Sequence, residues 1–104
     1  MDDDRMTAVG AIIDVRVELF GVARLTAGRR ELTVSLPRRP AVAEVVAALA
    51  RACPDLVGKV IAEDRTQLMQ SQILNLNGTA FVGEGALKLV QDDHLLLFSS
   101  QAGG

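Results

Sequence analysis

Hydrophobic and polar residues alternate in two segments near the start of the chain. In segment 13–20 the apolar face consists of Ile13, Val15, Val17 and Leu19. Segment 31–36 repeats the alternation. A period of two places alternate side chains on one face, as a half-buried β-strand requires. Segment 21–28, with a glycine at each end, is predicted to connect the two strands as a long hairpin loop.

The period changes to that of a helix after Pro40. Apolar residues then recur three and four positions apart, at Val42, Val45, Val46, Leu49 and Cys53. This spacing predicts the main helix within residues 41–53. Pro54 ends it, because a proline disfavours the helical conformation of the residue before it. A second, shorter helix is predicted over 56–61, and the polar segment 63–72 is predicted to be a loop.

The last third of the chain again has the character of β-strands. A strand is predicted over 73–77, and Asn77-Gly78 predicts a type I′ turn, which needs positive φ at both central residues. The returning strand would occupy 79–82. The apolar run 95–98 is typical of a strand covered on both faces, so it is predicted to be central in the sheet.

The predicted order is strand, strand, helix, strand, strand, strand. It indicates an α+β fold with a mixed sheet of about five strands and one main helix on one face. The β-grasp, or ubiquitin-like, fold fits this order and length. We expect a flexible N-terminal lead over 1–11, a β-grasp domain over 12–98 and a flexible tail over 99–104. The predicted core consists of Val17, Leu19, Val34, Val46, Leu49, Leu76 and Leu97.

Composition narrows the possible functions. The 104 residues suffice for one domain, and a net charge of −2 with mixed signs argues against nucleic-acid binding. The arginine pairs 29–30 and 38–39 are expected to be solvated or to contact a partner. No apolar run approaches the ~18 residues of a membrane span. The N-terminus is acidic where a secretory signal would be basic, so a cytoplasmic protein is expected.

Candidate catalytic residues are few. His94 could serve as a base for Ser99 or Ser100, but a hydrophilic turn residue is the simpler interpretation. Asp92-Asp93 could form half of a cation site, although such sites need several converging oxygen ligands. Cys53 is the single cysteine and is predicted to be a buried structural thiol. The residues therefore predict no metal and no resident cofactor.

The chain ends in Gly103-Gly104, directly after the predicted central strand and a short polar segment. Two terminal glycines would arise by chance in roughly one sequence in 200, given typical glycine usage. A frayed end is the alternative interpretation. A tail without side chains could instead enter a narrow channel of a partner enzyme. Its carboxylate would become reactive once converted to an acyl-adenylate.

Three motifs together resemble the sulfur-carrier family of the molybdopterin synthase small subunit and the thiamine-pathway carrier (MoaD/ThiS type). The first is Leu-Phe-Gly-Val-Ala-Arg at 19–24, closed by Gly28. The second is Leu-Asn-Gly at 76–78, and the third is Asp-Asp-His-Leu-Leu-Leu-Phe at 92–98 with the terminal Gly-Gly. The resemblance covers about residues 13–104.

The chain departs from the family pattern at three places. Leu25 stands where an acidic residue often follows the arginine of the first motif. The turn at Asp92-Asp93 lacks the glycine at the centre of the family's Asp-Gly-Asp turn. Ser99-Ser100 replaces the proline pair that is frequent after the last strand.

The resemblance implies a carrier that is not catalytic alone. An E1-like adenylating enzyme would activate Gly104 with ATP, and a sulfur donor would convert it to a thiocarboxylate. An acceptor enzyme, such as the molybdopterin synthase large subunit, would then take the sulfur for molybdenum cofactor biosynthesis. Gly103, which has no side chain, would keep the tail narrow enough to enter the active site of a partner. Leu96, Phe98 and Ala102 would contact partners. The chain itself would bind no cofactor.

Other functions remain compatible with these residues. The carrier could supply sulfur for thiamine, cysteine or a secondary metabolite. It could be a non-covalent ubiquitin-like binding module whose Gly-Gly is incidental. It could also be a protein modifier whose activated tail is attacked by a lysine.

Overall fold

The computed structural model describes residues 12–78 and 88–100, together with the backbone of residues 80 and 81. Segments 1–11 and 101–104, whose flexibility is expected from the sequence, lie outside the described residues. The elements in chain order are β1 Ile12–Leu19, α1 Val22–Ala27, β2 Glu31–Pro37, α2 Val42–Ala52, a 3₁₀ turn Pro54–Leu56, β3 Gln72–Leu76, β4 Ala80–Phe81 and β5 His94–Ser99.

The described strands form one mixed five-stranded sheet in the order β2-β1-β5-β3-β4. The single parallel pair in it joins β1 to β5, and the other neighbours are antiparallel. Strand β5 is therefore central, as its apolar run predicts. The hairpin, crossing helix and later hairpin confirm the α+β class and the β-grasp arrangement.

The core lies between one face of the sheet and α2. The apolar positions of β1 and β2 alternate as predicted, with burial on every second residue. On the helix, Val45, Val46 and Leu49 are all fully buried. Cys53, which caps the C-terminus of α2, is a buried free thiol, as predicted.

The core prediction is wrong at one residue, Leu76. This side chain is half-buried and only borders the core, whereas Leu74 on the same strand is buried within it. Leu76 is the last residue of β3 and precedes the turn at Asn77. A residue at the end of a strand has packing neighbours on one side only, which explains its exposure.

The predicted helix over 56–61 is absent. The chain instead makes the 3₁₀ turn and then a closed loop, in which Val57 and Ile61 form a bridge. Gly58 at its centre has φ 91, a left-handed conformation that interrupts a right-handed helix. Leu56, Val60 and Ile61 are nonetheless fully buried, so the helix-like spacing of apolar residues reflects a loop inserted into the core.

The predicted connection 21–28 contains the short helix α1. Six residues are fewer than the window over which helical periodicity can be recognised. Gly21 begins this helix at φ 59, and Gly28 ends it at φ 70 with its N–H donating to the carbonyl of Arg24 at 2.9 Å. Both glycines of the first motif thus have positive φ, which other residues rarely adopt.

The Asn77-Gly78 hairpin is confirmed in part. Both residues have positive φ, 55 and 78, as the sequence predicts. However, Leu76 pairs with Ala80, so three residues separate the partners instead of the two of a type I′ turn. The described backbone of the returning strand is Ala80–Phe81, and the predicted ends at 79 and 82 lie outside the described residues.

Candidate functional site

The candidate site begins where β5 ends. Ser99 still pairs with Gln72 of β3, and the Ser100 N–H donates to the carbonyl of Ser71 at 2.6 Å. We call Ser100 the tail root, because it directly follows the last residue of β5. Ala102, Gly103 and Gly104, the predicted site residues of the tail, lie outside the described residues.

The tail root is held on the β1 side as well. Leu19 lies beside Leu97 in the parallel pair, and the Phe20 N–H donates to the carbonyl of Leu97 at 3.0 Å. The first motif therefore lies against the C-terminal end of β5. This contact fixes the strand two residues before Ser99, so the point from which the tail departs is positioned by neighbours on both sides.

An apolar strip lies on the sheet face opposite α2. Leu95 and Leu97 are fully buried towards the helix, whereas Leu96 and Phe98 point to the other face and are half-buried. The run 95–98 is thus central but less covered than predicted on its outer face. Leu96 and Phe98, the predicted partner contacts, lie at accessible positions beside the tail root.

Two further residues, which were not predicted from the sequence, join this strip. Ile73 pairs with Phe98 across the antiparallel ladder. Phe20, 36% exposed, follows Leu19 and therefore lies next to Phe98 on the parallel side. We call Phe20, Ile73, Leu96 and Phe98 the outer patch. The alternation of strand 13–20 indicates that Phe20 faces outward, but only the register shows which residues it joins.

Ionisable side chains border the outer patch along β1. The His94 Nε2 lies 3.2 Å from Glu18 Oε1, and both side chains are about one-third exposed. Arg16 and Glu31 form an exposed ion pair at 3.6 Å. The arginine pairs 29–30 and 38–39 are exposed, as expected.

The structure excludes His94 as a base for either serine. His94 begins β5 and Ser99 ends it, so the two residues are separated by about 16 Å along an extended strand. Ser100 lies further away still. His94 is the first residue of a strand and pairs with Glu18, which agrees with a structural role.

The Asp92-Asp93 turn is held by hydrogen bonds within the protein. The Asp93 carboxylate accepts the Val90 N–H at 2.9 Å and the Asn77 side-chain amide at 3.2 Å. Asn77 Oδ1 in turn accepts the His94 N–H at 2.9 Å. The second and third motifs therefore form one network that joins the hairpin turn to the start of β5.

The described residues include no group of three or more His, Cys, Asp or Glu side chains that could hold a metal ion. In the same part of the chain, no helix is long and apolar enough to cross a membrane.

No known family profile and no curated protein matches this sequence. Solved structures do match it. Small archaeal modifier protein 1 (SAMP1) from Haloferax volcanii is 26% identical over 88% of this chain and 99% of that chain, with a TM-score of 0.71. The protein of the same name from Methanosarcina acetivorans is 26% identical over 89% of this chain and 98% of its own, with a TM-score of 0.66.

A third similar structure is described as "Putative molybdopterin converting factor, subunit 1" from Pyrococcus furiosus. It is 21% identical over 84% of this chain and 97% of that chain, with a TM-score of 0.56, a likeness that shows the fold alone. These structural neighbours are ubiquitin-like β-grasp proteins, and they are consistent with the resemblance to the MoaD/ThiS type.

Proposed function

We propose that this chain is a sulfur carrier whose reactive group is the C-terminal carboxylate of Gly104. An E1-like partner would use ATP to convert the carboxylate to an acyl-adenylate, with release of pyrophosphate. A sulfur donor would then displace AMP and leave a thiocarboxylate. Gly103, without a side chain, would allow the end of the tail to enter a narrow active site.

The main support is the position of the tail root. Strand β5 is central in the sheet, and hydrogen bonds from Phe20 and to Ser71 hold its C-terminal end. Four residues beyond Ser100 span at most about 14 Å when extended. A folded domain with a short terminal segment can therefore present one carboxylate within a limited distance of its surface.

The outer patch supplies the second support. It lies beside the tail root, so a partner that covers Phe20, Leu96 and Phe98 would bring its own active site within reach of the tail. Aromatic side chains, phenylalanine included, are enriched at protein–protein interfaces relative to the rest of the surface. Ala102 would add a contact within the channel.

Within this class of sulfur carriers, we propose a specific role in molybdenum cofactor biosynthesis. The chain would act in the cytoplasm as the small subunit of a molybdopterin synthase, with a large subunit as sulfur acceptor. The three motifs of the sequence support this choice. Carriers for thiamine, cysteine or a secondary metabolite would use the same chemistry with another acceptor.

A protein modifier is the second candidate function, because two of the similar structures are named small archaeal modifier proteins. Here a lysine amine of a target protein would attack the same acyl-adenylate, giving an amide and AMP. The two functions differ only in the nucleophile that reaches the activated tail.

Intact mass spectrometry distinguishes the functions. The chain is incubated with ATP, the adenylating enzyme of its own organism and either sulfide or a cell extract. A carrier gains the mass difference of one oxygen replaced by one sulfur. A modifier instead disappears into larger covalent adducts that resist thiol reduction. If neither product forms while the enzyme adenylates a control carrier, the chain is a non-covalent binding module.

A further inference from the structure

Strand β2 lies at one edge of the sheet, and β1 is its one neighbour among the described strands. The Leu19 N–H donates to the carbonyl of Arg30 at 2.8 Å, which shows which residues of the β1–β2 ladder are hydrogen-bonded to each other. In an antiparallel pair, such bonded residues alternate with non-bonded ones. The backbone N–H and carbonyl groups of Glu31, Thr33 and Ser35 therefore point away from β1.

These outward backbone groups are accessible. Glu31, Thr33 and Ser35 are exposed, and within the described part of the chain no other backbone group bonds to them from outside the ladder. We call the outward N–H and carbonyl groups of these three residues the free edge. A row of unpaired backbone groups at the edge of a sheet is a template for a further strand.

An arginine pair lies at each end of the free edge. We call these four residues the flanking arginines: Arg29, Arg30, Arg38 and Arg39. All four are exposed, and none forms an ion pair with an acidic side chain of the described residues. The Arg29 guanidinium donates to the carbonyl of Ala52 at 3.4 Å, and the Arg38 carbonyl accepts the Leu89 N–H at 2.8 Å. Both ends of β2 are thus anchored and positively charged.

The acidic residues next to the free edge already have partners within the protein. Glu31 lies 3.6 Å from the guanidinium of Arg16 on β1, and the Asp14 carboxylate accepts the Ser35 hydroxyl at 3.0 Å. The positive charge of the flanking arginines therefore remains available to a ligand.

The charge pattern determines which kind of strand fits the free edge. A second copy of β2 is disfavoured, because in either direction of self-pairing arginine pairs would lie opposite arginine pairs. A strand with acidic residues at both ends would instead place carboxylates opposite both pairs. Arg30 and Arg38 are eight positions apart in the sequence. That separation corresponds to about 26 Å along a strand, which sets the spacing of the acidic ends.

We propose that the free edge of β2 binds an extended acidic segment of a partner protein as an additional strand. Main-chain hydrogen bonds supply affinity in this mode of recognition, and the flanking arginines select for acidic residues at both ends. Strand β1 separates β2 from β5, so the outer patch and the tail root stay uncovered. A partner at β2 can thus hold the chain while another enzyme acts on its C-terminus, and the proposal does not depend on sulfur transfer.

A synthetic peptide tests the proposal on the full chain. The peptide has one residue for each position of segment 29–39, with two aspartates at each end and alternating valine and threonine between them. Amide hydrogen exchange is followed by heteronuclear NMR. We expect the peptide to slow exchange at Thr33 and Ser35 at least about ten-fold at saturation, since their N–H groups gain acceptors. The amides of Leu32 and Val34, already bonded to β1, should change little.

Two control peptides separate strand pairing from charge attraction. The same peptide N-methylated at all its central residues keeps its charges but cannot donate to the carbonyls of β2, so it should not protect Thr33 and Ser35. A peptide with lysine in place of every aspartate should bind more weakly, because its ends repel the flanking arginines.

Variants of the protein test the flanking arginines. Arg30→Gln combined with Arg38→Gln should weaken binding of the acidic peptide at least about three-fold, as the loss of two exposed ion pairs should. Arg65→Gln is the matched control, because Arg65 is exposed in the loop between the 3₁₀ turn and β3. It should leave the affinity unchanged.

Four results would overturn the proposal. They are no protection of Thr33 and Ser35 at the highest soluble peptide concentration, equal protection by the lysine peptide, and peptide-induced shifts that are largest at Leu96 and Phe98. The fourth is protection of the free edge that rises with protein concentration in the absence of peptide, which would make a second copy of the chain the occupant.

Discussion

Asp92 has φ 72, in the turn that leads into β5. Its N–H donates to the carbonyl of Asp14 at 3.1 Å, so the turn is fixed against the start of β1. A non-glycine residue in the left-handed region carries a steric cost from its Cβ atom. The strain falls at the centre of the turn where the family resemblance leads one to expect a glycine.

Replacing Asp92 by glycine should therefore stabilise the protein. We expect the free energy of unfolding to rise by about 0.5–1 kcal/mol, since the relief of strain exceeds the added entropy of the unfolded chain. Urea denaturation measures the change. Asp92→Ala is the matched control, because it removes the same carboxylate but keeps the Cβ atom. If alanine stabilises as much as glycine, loss of negative charge and not backbone strain is the cause.

The sequence alone predicts the burial of some side chains, but it does not predict which residues they contact across the sheet. Burial of Cys53 follows from its place on the apolar face of a predicted helix. The outward position of Leu96 and Phe98 follows from alternation. Their contact with Phe20 and Ile73 depends on the register between strands that are distant in sequence, which no local pattern contains. The partial exposure of Leu76 likewise depends on where the strand ends.

At the scale of elements, long periodic segments were predictable and short ones were not. Helix α2 lies within the predicted 41–53 because its apolar stripe recurs over three turns. Helix α1 is too short to show a period. The loop over 57–61 has helix-like spacing of buried residues, but Gly58 at positive φ makes it turn back on itself. In such short segments the tertiary contacts, and not the local pattern, decide the conformation.

A substitution at Leu49 tests which face of α2 packs against the sheet. Its side chain is fully buried, so Leu49→Ala should lower the free energy of unfolding by about 2–5 kcal/mol through lost burial and a residual cavity. Leu25→Ala is the matched control, since Leu25 on α1 is 83% exposed and should change stability by about 0.5 kcal/mol or less. Both values come from chemical denaturation, and equal losses would contradict the assigned helix face.

At the scale of the whole molecule, the outer patch and the tail root lie at one end of the sheet. Phe98→Asp should leave the fold intact, because the side chain is half-buried on the outer face, and should weaken partner binding. We expect the rate of adenylation at low carrier concentration to fall about ten-fold or more, the loss typical of a residue that dominates an interface. Thr33→Asp, exposed on β2 of the same face, should have little effect. Equal losses in both variants would indicate a general effect of charge.

Deleting Gly104 should affect sulfur transfer but not the stability of the fold. Gly104 has no side chain to pack against the core, so its loss should hardly change the melting temperature. Sulfur transfer should be abolished, because the new carboxylate stops about 3.5 Å short of the position where activation occurs. A misplacement of even about 1 Å can cost roughly 100-fold in rate. Intact mass after incubation with ATP, the adenylating enzyme and sulfide measures the product.

Two further variants distinguish the position of the carboxylate from the presence of a glycine. Adding one residue after Gly104 keeps both glycines but moves the carboxylate too far, so it should inactivate the chain as fully as the deletion does. Gly103→Val keeps the length and should still be activated poorly, because a branched side chain would obstruct a narrow channel. If the deleted chain gains sulfur as readily as wild type, Gly104 is not the reactive residue. If the extended chain alone is active, the activating enzyme requires a tail longer than the four residues that follow Ser100.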